Sequence, residues 1–276
     1  MNEKKIWIYW HQGFENTSDL IRKCVFSWQK HNPDYEIHLL DQTNIQNFID
    51  IDDVKECYRN KPLELAALAD VIRLRLLSNY GGIWVDATCF CLRPLNEWLP
   101  AEMTKNSGFF CPSYRPNSSE RIMDNWFLAS KKSAPLITLL EKTSSQYLLE
   151  KELALFKKTF IGRRIDRWTD KKTSRTILWF NPLVKNFLKI RPYFFSQYIF
   201  YKLTKENIFV ALAFDEMLKI DVQDCNFKHF GPFEQVEHGF IEKIQEERLP
   251  FFKLKKIWNN IPSGSKIYEL LHSNDL

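Results

Sequence analysis

No apolar stretch in this 276-residue sequence approaches the roughly 20 residues that a membrane-spanning helix needs. Runs such as Tyr193 to Phe195 and Tyr198 to Tyr201 break off after a few positions. A secretory leader is not expected either: Met1 to Lys5 leads straight into Ile6-Trp7-Ile8-Tyr9-Trp10, too short for an apolar leader core and followed by no cleavage pattern. Disulfide framework spacing is missing. The six cysteines, Cys24, Cys57, Cys89, Cys91, Cys111 and Cys225, are scattered, which fits reduced thiols in a cytoplasmic protein. Internal repeats, low-complexity linkers and recognised nucleic-acid motifs are likewise lacking. Ordinary fractions of hydrophobic (45%) and charged (26%) residues exclude a wholly disordered or fibrous chain. The length is large for one core and small for two, so one domain carrying an insertion or helical lobe is expected.

Aromatic residues are what the chain has in excess: 22 Phe, 10 Tyr and nine Trp. Such rings pack cores, but they also stack on sugars and bases and settle at membrane interfaces. Charge is unevenly spread. Residues 151–205 hold 14 Lys or Arg against three acids, while the rest of the chain holds 25 against 31. The same stretch carries 12 aromatics, among them Trp168, Trp179, Phe194, Phe195 and Tyr201. Three readings fit it: a solvated lobe with an aromatic core, an anionic membrane surface, or nucleic acid. Without a nucleic-acid motif, the expected partners exclude nucleic acid.

Ile6 to Trp10 reads as a buried strand, closed by His11-Gln12-Gly13. Helix-start residues Asn16, Thr17 and Ser18 precede apolar positions Leu20, Ile21, Cys24, Val25 and Trp28 at helical spacing, until Asn32-Pro33 stops the helix. Tyr35 to Leu40 is a second strand, and Asn44 to Ile49 a short helix. This opening predicts an α/β fold with a parallel sheet and crossover helices. A long helix follows, from Leu63 to about Asn79, stopped by Gly81-Gly82. Ile83-Trp84-Val85 then delivers Asp86 at a strand's carboxyl end, where open α/β sheets bind ligands. Gly108 to Cys111 and Asn125 to Ala129 look strand-like, a helix follows Pro135, and beyond residue 150 the pattern is mainly helical.

Three features converge. Asp70 and Arg73, three apart on the long helix, share a face. Gly81-Gly82 makes a tight passage into the strand. Asp86-Ala87-Thr88 sets two oxygen-bearing side chains two positions apart, so both can reach one divalent ion or one diphosphate. An arginine fork would complement the charge of such a diphosphate. His11 and the Cys89/Cys91 pair read as structural. Asp215-Glu216, inside the apolar run Phe209 to Leu218, is a candidate catalytic or acceptor-side carboxylate.

The run Ala69-Asp70-Val71-Ile72-Arg73 through Asn79-Tyr80-Gly81-Gly82-Ile83-Trp84-Val85-Asp86 resembles the signature of DXD-type sugar-binding glycosyltransferases, and within them the capsular polysaccharide synthesis family. The opening Ile6 to Gly13, the stretch Trp28, Asn32-Pro33-Asp34-Tyr35, Leu40-Asp41, and Asn125 to Ser130 are similar to that family too. The resemblance covers roughly residues 4 to 140. It implies a GT-A type, Rossmann-like nucleotide-sugar-binding sheet flanked by helices, with a mainly helical, basic C-terminal half. Expected parts are a core over 1–150, a basic aromatic insertion over 151–205, and a segment over 206–276 that completes the catalytic domain.

By the resemblance, Trp10 matches an aromatic that stacks on the nucleotide base. Asp70 matches a carboxylate bonding the donor sugar, Arg73 an arginine beside that sugar and the diphosphate, and Trp84 an aromatic two before the metal aspartate. Asp86 is the first acid of the motif, Asn125 a polar donor contact, and Gln12 and Gly82 extend the nucleotide-sugar set. Asp70, Arg73 and Asp86 are the implied catalytic residues. Thr88 replaces the second acid, so the implied Mn2+ or Mg2+ on Asp86 and Thr88 would bind less strongly. Arg73 and a lysine or arginine of 151–205 would then share the leaving-group charge.

The implied activity is transfer of a sugar from a nucleotide sugar, UDP-linked and with retention, to a polyprenyl-diphosphate-linked saccharide or a polysaccharide in bacterial capsule or surface polysaccharide synthesis. Residues 151–205 would dock the enzyme on the anionic inner face of the cell membrane. The alternative is a non-catalytic, membrane-associated binding subunit of a polysaccharide assembly complex.

Overall fold

Ile6-Trp7-Ile8-Tyr9 is buried throughout because it runs through the middle of a sheet covered on both faces. A computed structural model describes residues 4–60, 63–99, 107–114, 121–149, 153–155, 160–255, 258 and 260–273. In chain order the first half comprises β1 (Lys5–Tyr9), α1 (Asp19–His31), β2 (Glu36–Leu40), α2 (Asp52–Cys57), α3 (Leu65–Tyr80), β3 (Gly82–Asp86), β4 (Cys89–Cys91), α4 (Leu95–Trp98), β5 (Phe109–Phe110), β6 (Phe127–Ser130) and α5 (Pro135–Leu149). The second half comprises β7 (Ala154–Leu155), α6 (Phe160–Asp170), β8 (Ile190–Arg191), α7 (Phe195–Glu206), α8 (Ile208–Glu216), α9 (Phe240–Glu247), β9 (Phe251–Lys253) and α10 (Lys266–His272). Short 3-10 and π turns fill 173–180 and 183–188. Of the basic segment, positions 151, 152 and 156–159 lie outside the described residues, as does Pro62 ahead of the long helix, expected from Leu63 and beginning at Leu65.

The main sheet has the order β2-β1-β3-β6-β5. β1 pairs parallel with β2 and with β3, through crossovers that contain α1, α2 and α3. The α/β class with helices flanking a largely parallel sheet is the one the sequence predicts. Beyond that parallel opening the sheet is mixed: β6 runs antiparallel to both β3 and β5. No crossover helix is described between β5 and β6, and without one a chain returns beside itself in the antiparallel sense.

Local chemistry explains the first crossovers. α1 buries Leu20, Ile21, Cys24, Val25 and Trp28 on one stripe. Pro33 disfavours helix at Asn32, whose side chain donates to the Trp28 carbonyl at 3.2 Å and accepts from the Leu95 N–H at 2.8 Å. α3 buries most of its circumference, including Val71, Ile72, Leu74, Leu76 and Leu77. Gly81 and Gly82 turn it straight into β3 with φ of 68° and 93°. A Cβ at Gly81 would lie 2.5 Å from the Lys132 nitrogen, and one at Gly82 2.7 Å from the Lys5 carbonyl oxygen. Only glycine satisfies both the backbone angle and the contact.

Much of the aromatic excess is core. Phe127 stacks on Phe251 at 4.7 Å between centroids, and Trp98 meets both rings at 5.3–5.4 Å. Burial of each such side chain contributes about 1.5–3 kcal/mol relative to exposure. These contacts tie β9, near the C-terminal end of the chain, to the first-half sheet. β9 also pairs antiparallel with β4, setting Lys253 opposite Cys89.

Candidate active site

The register Tyr9↔Asp86 between β1 and β3 aligns their carboxyl ends, so Trp10 and Asp86 emerge side by side. A cleft of about 990 Å³ opens there, lined by Trp10, Gln12, Asp70, Arg73, Asp86 and Thr88 among others. A smaller hollow of about 670 Å³ beside α9 contains none of the residues singled out in the sequence.

Arg73 is the hub. Its guanidinium lies 3.3 Å from Asp70 Oδ1, donates to Asp86 Oδ1 at 3.2 Å, and donates to the Asn125 carbonyl at 2.7 Å. Helical spacing brings Asp70 and Arg73 onto one face, and the short Gly81-Gly82 passage folds β3 back so that Asp86 meets them. The Arg73 side chain is only 6% exposed, so these contacts are made largely out of water. Asp70 is fixed by two further donors: Asn125 Nδ2 at 2.7 Å and, from α7, Ser196 Oγ at 3.0 Å. Burial raises its carboxyl to about 6, against the opposing pull of Arg73 and the Ser196 hydrogen bond. Asp86 has the opposite fate. Burial would raise it, but the charges of Lys253 and Arg73 and hydrogen bonds from Lys253 and Trp84 hold it below the usual carboxylate range.

Several residues take places different from those their sequence matches imply. Trp84 borders the cleft but is only 1% exposed. Its indole donates to Asp86 Oδ1 at 3.0 Å while Arg73 lies 5.0 Å over its ring, so it holds the site from beneath. Gly82 begins β3, four residues or about 13 Å of strand from Asp86, and does not line the cleft; its φ and close packing account for it. Asn125 is buried, borders the cleft, and bonds Asp70 and Arg73. Trp10 is half-buried at the cleft wall, and Gln12 is exposed at its rim. Asp215 and Glu216 are exposed on α8 and do not line the cleft. Cys89 and Cys91 are fully buried, and burial pushes both thiols up to about 12, as inert packing requires.

No described lysine or arginine of 151–205 lines the cleft. Among the described residues, the cleft's cations are Arg73, Arg121, Lys253 and Lys255. Lys253 Nζ donates to Asp86 Oδ2 at 2.6 Å and to Thr88 Oγ1 at 2.9 Å, touching both side chains meant for a metal. The 151–205 segment instead supplies Tyr193, Phe194 and Gln197 to the lining, and Ser196 behind it to Asp70. Arg121, which sequence reasoning missed, is held by Asp170 at 2.6 Å and stacks 3.6 Å from the Phe194 ring. Nothing local to Arg121, Ser196 or Lys253 marks them; each matters through chain folding from far away.

The family model described as "Capsular polysaccharide synthesis protein" matches residues 1–161. The chain is 30% identical over 152 residues to O-glycosyltransferase braB of Annulohypoxylon truncatum, covering 49% of this chain and 35% of that protein. It is 25% identical over 191 residues to the initiation-specific alpha-1,6-mannosyltransferase of Candida albicans, covering 60% and 49%. It thus spans less than half the length of either relative. Among solved structures, it is similar to the apo-form glycosyltransferase GlyE of Streptococcus pneumoniae, with a TM-score of 0.43, 13% identity, and coverage of 97% of this chain and 58% of that one. The family match takes in β1 to β6, and with them Trp10, Asp70, Arg73, Asp86 and Asn125: this chain belongs to the capsular polysaccharide synthesis protein family.

Proposed function

We infer that this chain is a glycosyltransferase that moves a sugar from a nucleotide-sugar donor, UDP-linked, to a lipid-linked or polysaccharide acceptor with retention of configuration. The observation that carries the reading is the meeting of Asp70, Arg73 and Asp86 in a cleft at the carboxyl ends of β1 and β3. Asp70, immobilised by Asn125 and Ser196, is a preset acceptor for donor sugar hydroxyls. Trp10 offers a half-buried ring for the nucleobase. Arg73, at the floor of the cleft, opposes the charge of the diphosphate.

In the transfer, the bond between the sugar C1 and the diphosphate oxygen breaks, and its electron pair stays on that oxygen. The acceptor hydroxyl oxygen bonds to C1 from the same face, and its proton passes to the departing phosphate. The chain's part is to position the reactants and to stabilise the charge that develops. Acceptor-independent hydrolysis of the nucleotide sugar tests the reading, since water can stand in for the acceptor. Wild-type protein is expected to release sugar from one donor of a UDP-, GDP-, CMP- and dTDP-sugar panel, and Asp86→Asn to lose that release by about 100-fold or more. Binding without any release would favour the non-catalytic subunit instead.

A membrane-bound acceptor fits the surface of residues 160–189. Phe160, Trp168, Leu183 and Phe187 are 49–79% exposed and are interspersed with exposed Arg163, Arg164, Arg167, Lys171 and Lys172. Trp179, Phe195, Tyr198 and Phe200 of the wider 151–205 stretch are buried, so its aromatics divide between core and surface. Exposed aromatics among basic side chains suit the interface of an anionic bilayer. No helix among the described residues is long and apolar enough to cross a membrane. The protein is expected to sediment with vesicles containing anionic lipid and not with neutral ones. Equal binding to both, or none, would contradict the docking.

A further inference from the structure

The tip of β3 carries too much fixed positive charge for a divalent ion. Asp86 and Thr88, the implied ligands, provide one carboxylate and one neutral hydroxyl, and Lys253 bonds to both. Arg73 donates to the other Asp86 oxygen. Two acids, Asp70 and Asp86, already face two bases, Arg73 and Lys253, so an added ion would bring two positive charges with no carboxylate to meet them. Hard cations need several oxygen ligands. Among the described residues no cluster of three or more His, Cys, Asp or Glu side chains is arranged to hold a metal ion. The donor set does not fit Mn2+ or Mg2+.

Lys253 is itself built into place. The β9–β4 pairing sets it opposite Cys89, its N–H donates to the Cys225 carbonyl at 2.8 Å, and the next N–H, of Leu254, donates to the Thr88 carbonyl at 2.9 Å. The side chain nevertheless stays 22% exposed and lines the cleft. An ammonium has three donors; Asp86 and Thr88 use two, and the third has no partner among the described residues, which leaves it for a ligand. A purely structural partner for Asp86 would need neither the exposure nor the second bond to Thr88.

We propose that Lys253 takes the place of the divalent ion: its ammonium, with Arg73, binds the diphosphate of the donor and neutralises it as it leaves. This rests on the glycosyltransferase reading. When the C1–oxygen bond breaks, the electron pair remains on the β-phosphate oxygen, and the ammonium donates a hydrogen bond to the diphosphate without giving up its proton. Nucleoside diphosphate binding is therefore independent of metal.

Calorimetric titration of the full chain with UDP, GDP, CDP and dTDP, in EDTA and in Mn2+, tests this. The nucleotide that binds is expected to do so within about threefold in the two conditions. Lys253→Met is expected to weaken it about 10-fold to 100-fold in both, the usual loss for a charge-assisted hydrogen bond, and Lys253→Arg to restore much of it in EDTA. Circular dichroism reports whether each variant is folded, and the wild-type comparison stands without them. Binding that requires Mn2+, or that is unchanged in folded Lys253→Met, overturns the role of Lys253 and leaves the transferase reading intact. Binding of no nucleotide under either condition removes that reading, and this inference with it.

Discussion

Asp70→Asn is expected to lose donor cleavage by about 100-fold or more, as when a preset transition-state contact is removed, while unfolding in urea at pH 7 no more easily than the wild type. The two outcomes have one cause. Burial lifts the Asp70 carboxyl from its ordinary 3.8 to about 6, so the folded state holds this proton more tightly than the unfolded chain does. Stability owed to this group is therefore fully present below about pH 4, declines as pH rises to about 6, and stays low above that. At pH 7 the ionised Asp70 is a cost the fold carries for its chemistry. Asparagine removes the charge, keeps an oxygen for the Asn125 amide, and offers an amide N–H to the Ser196 oxygen. Activity should show the opposite pH trend, falling as Asp70 protonates below about 6. Urea titrations of both proteins at pH 5 and 7, beside hydrolysis rates, read both effects. A variant that keeps its activity would remove Asp70 from the donor site.

Arg73→Met should produce the largest loss of stability, about 3–5 kcal/mol at pH 7, the usual consequence of stripping one partner from a buried ion pair. One guanidinium serves Asp70, Asp86, the Asn125 carbonyl and the face of Trp84. Its removal leaves Asp70 buried with Asn125 and Ser196 but without its cation. The penalty should shrink at pH 5, where Asp70 can protonate, and should shrink likewise in the Asp70→Asn background, because the residues in one network do not contribute additively. Urea unfolding of the two single variants and the double variant measures that coupling. Strict additivity would mean that Asp70 and Arg73 do not act together.

The parts of the site that could be read from the sequence are those encoded within a few dozen residues. The apolar stripe of α1, the stop at Asn32-Pro33, the length of α3 and the Gly81-Gly82 turn all carry local signatures. Together they put Asp70, Arg73 and Asp86 on adjoining elements, and the resemblance to the family follows the same stretch. Trp84 shows the limit of a motif position: its place two before Asp86 was legible, but its burial under Arg73 depends on packing. Lys253 lies 167 positions from Asp86 and Ser196 126 from Asp70. Their arrival depends on β9 pairing with β4 and on α7 packing against the core, contacts that no local periodicity encodes. The basic excess of 151–205 does not by itself place a cation at the cleft, since net charge over a segment does not say which side chains turn inward.

A thermal-shift panel bears most directly on whether this cleft grips an activated carbohydrate. Wild-type protein and Asp86→Asn would be heated with UDP-, GDP-, CMP- and dTDP-sugars, because a ligand that binds only the folded state raises the melting temperature. One nucleotide sugar should raise the melting temperature of the wild type and leave that of Asp86→Asn unmoved. A panel that shifts neither protein, or a shift that persists undiminished in Asp86→Asn, would contradict it.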